Sequence, residues 1–596
     1  MADSYRPFFF APFRATRPHL VRAVAAACSL LLAPASGNAA AFADAALRDA
    51  LEAARPADEL PIIAVYRSRQ EPAEVEAGVA GRPGTATRRG LVLKALRAGG
   101  EAEARPLADY VKSRGAHEVQ ALWIANAVAM KARPALVAEL LTDERVVQVR
   151  LDSVVDAPIA YAGAPLPAEW NISMVNAPSL WAQGYHGEGV TVAILDSGVD
   201  PQHPDLAAAW RGGTNSWLDP YGQHATPVDF SGHGTQAAGL IVGGASHGTA
   251  IGVAPAAKWI AAKIFDDAGQ GTESAIHRAF QWLTDPDGNP ATDDAPDIVN
   301  NSWGITGADE CNSVFQPDID TLRAADIAVV FAGGNMGPAP ATSVSPANNA
   351  GVTSVGAVDG TGRVSDFSSR GPSACDGSLF PKVSAPGDGV LTTDLSFGGG
   401  ANYVLVAGTS FAAPHVSGVL ALLKGAQPLA TAADLELAVQ NGAHDAAPPG
   451  PDANTGYGVI DAMTSLESLR ATVDIDGDGY RAPADCNDHD KSVHPHATEK
   501  RRDGVDQDCN GYDLTLDLKY AVYSSDGATL KLRVSSYYGA RASLELPGVG
   551  PLVWRPAYRD WIYEGAVSGS PQEITVRGTE GSITFRPRSS SRRQRQ

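Results

Sequence analysis

Basic residues are the scarce charge in this chain of 596 residues: 47 Lys and Arg stand against 67 Asp and Glu, a net charge of −20 with an isoelectric point near 5.1. Such a surface repels phosphate backbones, so no nucleic-acid partner is expected. Long hydrophobic runs are missing too. No stretch reaches the roughly 20 apolar residues of a membrane span, so no integral membrane segment is expected after a leader is removed. Cysteine is rare, with five in all. What the chain does have is 44% hydrophobic residues and 19% charged ones, enough apolar material to fill real cores, which excludes general disorder, collagen and coiled coil. At about 150 residues per domain, the length calls for several segments.

The first forty residues read as an address. Arg14, Arg17 and Arg22 precede an apolar stretch from Ala23 to Pro34, and small residues follow from Ser36 to Ala41. This is the order of a secretory signal peptide, here 1–41, which makes the protein secreted and extracellular, with cell-surface association as a variant. Cys28 lies inside the apolar stretch, poorly placed for lipid attachment, and would leave with the leader. Cys311, Cys375, Cys486 and Cys509 remain, an even number that points to disulfides and allows three pairings.

Residues 58–155 alternate short β-rich runs and helical ones: a strand at Pro61 to Tyr66, helix from Leu91 to Val111, extended chain from Val119 to Met130, helix from Ala135 to Leu141 and a closing strand from Val146 to Arg150. This predicts a small α+β unit. Across 156–470 strands and helices alternate with Gly-rich turns, the pattern of a parallel sheet with helices on both faces. Such sheets bind ligands at the carboxyl ends of their strands. An Asp-rich stretch follows over 471–514. Residues 515–587 then alternate as a small antiparallel β-sandwich-like module, with Trp554, Trp561, Tyr537 and Tyr538 expected mainly in its core. A polar basic tail at 588–596 is expected to be disordered.

Three motifs in the α/β segment carry chemistry. Val192-Ala193-Ile194-Leu195-Asp196-Ser197-Gly198 is a buried-strand run that delivers a carboxylate at its carboxyl end. Gly232-His233-Gly234-Thr235 flanks an imidazole with glycines that permit close approach. Gly408-Thr409-Ser410 leads into an apolar helix, so that a hydroxyl sits at the positive helix end. Each alone is ambiguous: an Asp ending a strand is commonly a cap, a lone His is commonly structural, and a Ser before a helix is commonly its N-cap.

In the order Asp, His, Ser the three resemble the subtilisin-like serine protease family, whose chain order is a known one among Ser-His-Asp enzymes. The run into Ala332-Gly333-Gly334-Asn335 resembles the family's oxyanion-binding segment. The resemblance implies a subtilisin-like peptidase over 156–470 with Asp196, His233, Ser410 and Asn335 as catalytic groups. Ser410 would be the nucleophile, His233 the base, Asp196 its orienting partner, and Asn335 a donor to the oxyanion. It also implies that Gly269, Gln270 and Gly271 on one side, and Ser302, Trp303 and Gly304 on the other, pair with an extended protein or peptide substrate. Gly333 and Gly334 would border the first specificity pocket, with Met336 and Val344 at its floor and no carboxylate there to select a basic side chain. Gln236 stands where family members often carry a second His. The unit at 58–155 resembles the family's ferredoxin-like propeptide, which would act as the chain's own inhibitor and leave by self-cleavage between Asp152 and Trp170.

The Asp-rich stretch places Asp474, Asp476, Asp478 and Asp485 at positions 1, 3, 5 and 12 of a calcium-type loop, with Tyr480 offering its carbonyl. Asp488, Asp490, Asp506, Asp508, Asn510 and Asp513 complete the candidate ligands of structural Ca2+. The stretch resembles the metal-binding Asp/Cys repeat of secreted bacterial proteins, which implies a Cys486–Cys509 pair and leaves Cys311 and Cys375 as the other. The whole reads as a calcium-stabilised, monomeric secreted endopeptidase made as a zymogen. A reading of another class is a cell-surface binding protein that uses the calcium repeat and β module and keeps a residual peptidase fold.

Overall fold

The computed structural model describes residues 41–590 apart from short stretches at 69–71, 80–84, 159–160, 163–169, 290–291, 306, 308, 398–401, 446–449, 473, 475–476, 482–483, 488–489, 525–527 and 568–571. The expected signal peptide therefore lies outside the described residues, its last position Ala41 excepted.

Short runs rich in Val, Ile and Ala make the central sheet. Its order is Val383–Pro386, Thr353–Val358, Ala328–Ala332, Ile298–Asn301, Thr191–Asp196, Lys258–Lys263, Trp217–Leu218, with every pairing parallel. Side chains alternate faces along a strand, and Thr191–Asp196 shows the result. Val192 and Ile194 enter one core with the helices His233–Val242 and Thr409–Ala426. Ala193 and Leu195 enter the other with Glu273–Leu283 and Gln316–Ala324. Burial on both faces explains why these strands read as continuous apolar runs.

The N-terminal unit is ferredoxin-like. Its strands lie in the order Val146–Leu151, Leu60–Tyr66, Ala127–Ala132, His117–Leu122, all antiparallel, with Thr85–Ser113 and Pro134–Leu140 as the connecting helices. Phe42–Ala43 adds a parallel edge. Where the sequence predicts one extended run from Val119 to Met130, the structure has two strands around a 3-10 turn at Trp123–Ala125, closed by Asn126 at φ 50°. That turn is apolar because it is buried under the helix: a Cβ at Gly100 would meet Trp123 Cβ at 2.9 Å. Ile63, Leu93, Leu96 and Trp123 join the core that holds Phe280 and Phe315, so one face of this unit packs directly on the central one.

Cys486–Cys509 is bonded, the pair that the resemblance to the Asp/Cys repeat implies, and so is Cys311–Cys375, the pair it leaves. The C-terminal module has a five-stranded and a four-stranded sheet around Leu530, Leu532, Leu544 and Val576. Trp561 and Tyr538 pack against this core, while Tyr537 is exposed. The tail expected to be disordered from 588 instead begins with a strand, Arg588–Ser590, parallel to Asp517–Ser524. Edge pairing needs only backbone groups, which a polar composition does not reveal.

Candidate active site

Three parallel strands and two helix starts bring the chemistry together. Asp196 ends its strand fully buried, its Oδ1 accepting from Ser197 N at 2.7 Å. His233 opens its helix 2% exposed, with Nδ1 2.8 Å from Asp196 Oδ1. The approach is close because residue 234 is glycine: a Cβ there would stand 2.0 Å from Gly198 O and 3.0 Å from Asp196 Cβ. With Nδ1–H donated to the carboxylate, Nε2 keeps the lone pair, and it has no hydrogen-bond partner among the described residues. Burial disfavours the imidazolium, but Asp196 and, behind it, Asp229 outweigh that cost and hold His233 above the ordinary imidazole range.

Ser410 is the second residue of its helix, after Gly408 at φ 148°. Its N–H belongs to the first turn, where no intrahelical acceptor exists. Its Oγ donates to Ser302 O at 3.0 Å, so the structure brings the hydroxyl to the cleft wall, and a bond to His233 is not made. The His233 ring lies 5.5 Å from that of Phe411, the next residue along the helix. Asn335 Oδ1 accepts from Thr409 N and Thr409 Oγ1, both at 2.9 Å, which fixes the amide with Nδ2 as its remaining donor end.

The two expected substrate-binding segments differ in this state. Gln270–Thr272 is paired antiparallel with Val154–Asp156 from the end of the N-terminal unit, and Ala157 N donates to Gly269 O at 2.8 Å. Ser302-Trp303-Gly304 pairs with no strand among the described residues; Ser302 Oγ instead donates to Ser410 O at 2.7 Å and Trp303 is buried among Phe315 and Phe331. Val344 packs under Gly304 and Gly334, where added Cβ atoms would stand 2.9 Å and 2.5 Å from its methyls. Met336 is 46% exposed and does not suit a pocket floor.

Sequence reasoning missed the charges beneath this groove. Arg150 Nε donates to Glu273 at 2.9 Å and its NH2 reaches His277 Nε2 at 3.0 Å, while His277 Nδ1 meets Asp318 at 2.8 Å, all buried. Asp152 accepts from Ser274 N and Oγ. Farther out, Arg97 pairs with Asp285 at 2.5 Å, where Asp285, Asp287 and Asp294 converge, and Arg89 pairs with Asp293. The arginines and Asp152 meet partners more than a hundred residues away, and His277 and Asp318 are 41 apart, so no local pattern signals these pairs.

In the acidic repeat, Glu499, Asp506 and Asp508 place carboxylate oxygens within 4.8 Å of one another. Glu499 was not among the expected ligands, because it stands alone between Thr498 and Lys500, outside the Asp clusters. Burial and the neighbouring acid raise Glu499 and Asp508 above the ordinary carboxylate range. The three converging carboxylates suit a hard cation; Asp485, also expected as a ligand, is buried with Oδ2 unpartnered. Among the described residues, the other expected ligands do not belong to this group. Asp474 accepts from Gly477, Asp478 and Gly479 N–H groups, Asp490 from Ser492, and Asp513 from Arg502 and Gly504, while Asn510 Oδ1 accepts from Tyr512 N. Tyr480 stacks on His494. Asp476 and Asp488 lie outside the described residues.

Residues 187–458 match the model of the Subtilase family, and residues 485–513 match that of a metal-binding motif. Subtilisin E of Bacillus subtilis is 33% identical over 333 residues, which cover 55% of this chain and 78% of that protein. The chain belongs to the subtilase family. The Major intracellular serine protease of the same organism is 32% identical over 256 residues, 42% of this subtilase and 74% of the relative. Bacillopeptidase F, also of B. subtilis, is 34% identical over 346 residues; that match takes in 53% of the subtilase but only 24% of the relative's own length.

Proposed function

We propose that this subtilase is an exported serine endopeptidase made as a zymogen, with Ser410 as nucleophile and His233 as base. The observation that carries the reading is the His233 ring itself, anchored through Nδ1 to a buried carboxylate and presenting an unpartnered Nε2 beside the start of the Ser410 helix. In the reaction Ser410 Oγ leaves Ser302 O, gives its proton to Nε2 and attacks the scissile carbonyl. Asp196 holds the ring and stabilises its cationic form. Asn335 Nδ2 and Ser410 N–H receive the charge on the carbonyl oxygen; one such donor is worth about a hundred- to a thousandfold in rate. The imidazolium then protonates the departing amine, and water repeats the sequence on the acyl-enzyme. Since Nε2 must be free of its proton, activity rises as pH climbs through the raised pKa of His233.

In this reading the N-terminal unit is the inhibitor, lying as a substrate-like strand on Gln270–Thr272. Its chain is held at Ala157 by Gly269 and again at Tyr161–Ala162 by Val406–Ala407. The bond cut on maturation therefore lies between Ala157 and Tyr161. Main-chain pairing favours unfolded or loop segments of protein substrates. The acidic repeat takes Ca2+, with Glu499, Asp506 and Asp508 as ligands. The test is labelling of the matured protein by a serine-directed fluorophosphonate, with N-terminal sequencing: wild type labels and Ser410→Ala does not. An unlabelled wild type overturns the reading.

A further inference from the structure

Asp229 is fully buried four residues before His233, and no cation pairs with it among the described residues. Five donors fill its two oxygens. Oδ1 accepts from Ser197 Oγ at 3.0 Å, Ser231 N at 2.9 Å and Gly232 N at 3.0 Å; Oδ2 accepts from Thr235 N at 3.0 Å and Thr235 Oγ1 at 2.8 Å. A buried carboxylate with this many donors costs a great deal to maintain, so its arrangement needs a reason.

Two features supply it. The His233 helix has glycine at its N-cap, with no side chain to satisfy the first N–H groups, and Asp229 reaches in from outside to take that of Thr235. Ser197 follows Asp196 directly. Its N–H donates to Asp196 Oδ1, while its Oγ donates to Asp229 and accepts from Gly234 N at 3.0 Å. Asp229 thus ties the end of one strand to the first turn of a helix 37 residues on, at the place where Asp196 and His233 meet.

We propose, resting on the peptidase reading, that Asp229 is a positioning residue of the reaction: it locks the Asp196–His233 bond in register through Ser197, Gly232 and Thr235, and adds a second negative charge behind the imidazole. The charged groups around it are Asp196 from the neighbouring strand, His233 on the helix, Lys263, which donates to Ser197 O at 3.2 Å, and Asp394, which accepts from Gln236 one turn along. Asp229 and Asp196 both favour the His233 cation. Burial, with the nearby Asp196, holds Asp229 above the ordinary carboxylate range, while its five donors favour the ionised form.

Two variants separate position from charge. Asp229→Asn removes the charge and turns an amide N–H2 against donors; Ser197→Ala cuts the link to Asp196 and keeps the charge. In matured enzyme, Asp229→Asn is expected to lower kcat about 10- to 100-fold with KM little changed, and to move the acid limb of the pH–rate profile to lower pH. Ser197→Ala is expected to lower kcat with the acid limb unmoved. The proton NMR signal of His233 Nδ1–H, read without turnover, should shift or broaden in both. Wild-type kcat and acid limb in a folded Asp229→Asn overturn the proposal, and so does wild-type kcat in Ser197→Ala if Asp229→Asn does not fold. These outcomes are read against a wild type that labels at Ser410; a wild type that fails to label sinks the peptidase reading instead.

Discussion

The seam beneath the cleft and the acidic repeat face the same difficulty and resolve it differently. Both gather carboxylates in a chain of net charge −20. At the seam the compensation comes from the protein: Arg150, Arg97 and Arg89, all from the N-terminal unit, meet Glu273, Asp285 and Asp293 of the central one. In the repeat, Glu499, Asp506 and Asp508 converge with backbone N–H groups as their donors and no ion pair to a basic side chain among the described residues, beside a disulfide and next to no apolar core. A seam sealed by internal cations can be opened only by removing the unit that carries them. A repeat that lacks them has a cross-link and, in the function proposed above, takes its cations from solution.

The sharpest way to break this contrast is Arg150→Ala in a full chain inactivated by Ser410→Ala. Leaving Glu273 buried without its partner should cost about 3–5 kcal/mol in unfolding free energy; a loss below about 1 kcal/mol would show that the seam does not depend on the pair. Next, replacing Cys486 and Cys509 together by Ser frees a loop spanned by 23 residues. The chain-entropy model assigns that about 3 kcal/mol, felt in the repeat and not in the central unit. Equal loss in both units, seen by hydrogen exchange, would erase the contrast.

His415 gives a comparable effect of a third kind, a buried group compensated by neutral partners. Its Nδ1 donates to Phe411 O at 2.8 Å and its Nε2 accepts from Asn171 Nδ2 at 2.9 Å, and burial pushes its pKa down to about 4 from 6.5. Between those values the unfolded chain binds the proton and the folded one does not. Stability is therefore lost as pH falls through that window, by at most about 3 kcal/mol. His415→Gln should flatten that part of the stability–pH curve; an unchanged slope would refute the assignment. The smallest effect is expected from chelation. Excess chelator should lower the melting temperature of the repeat by a few degrees, as mass action of a lost ligand requires, and Glu499→Gln should abolish the difference. A Glu499→Gln protein that still responds fully would remove Glu499 from the ligands.

Local chemistry was legible wherever a short motif carries its own constraint. The strand ending at Asp196, the glycines around His233, the helix opening at Ser410 and the Asp/Cys ends of the repeat are visible because steric and capping demands act between near neighbours. The apolar runs likewise announced a doubly covered parallel sheet. The turn at Trp123–Ala125, the strand at Arg588–Ser590 and the convergence of Glu499 on Asp506 and Asp508 were not legible: a buried turn reads as core, an edge strand needs only backbone, and a single Glu has no pattern.

By itself, then, the sequence determined which residue types arrive at the carboxyl ends of the strands, and in what order. Only the tertiary structure decided that Ser410 Oγ rests on Ser302 O, that Val154–Asp156 occupies the edge at Gln270–Thr272, and that Arg150 is buried against Glu273 and His277. Those contacts join segments separated by 108 to 127 residues, and their energies come from desolvation and pairing, which no window along the chain contains.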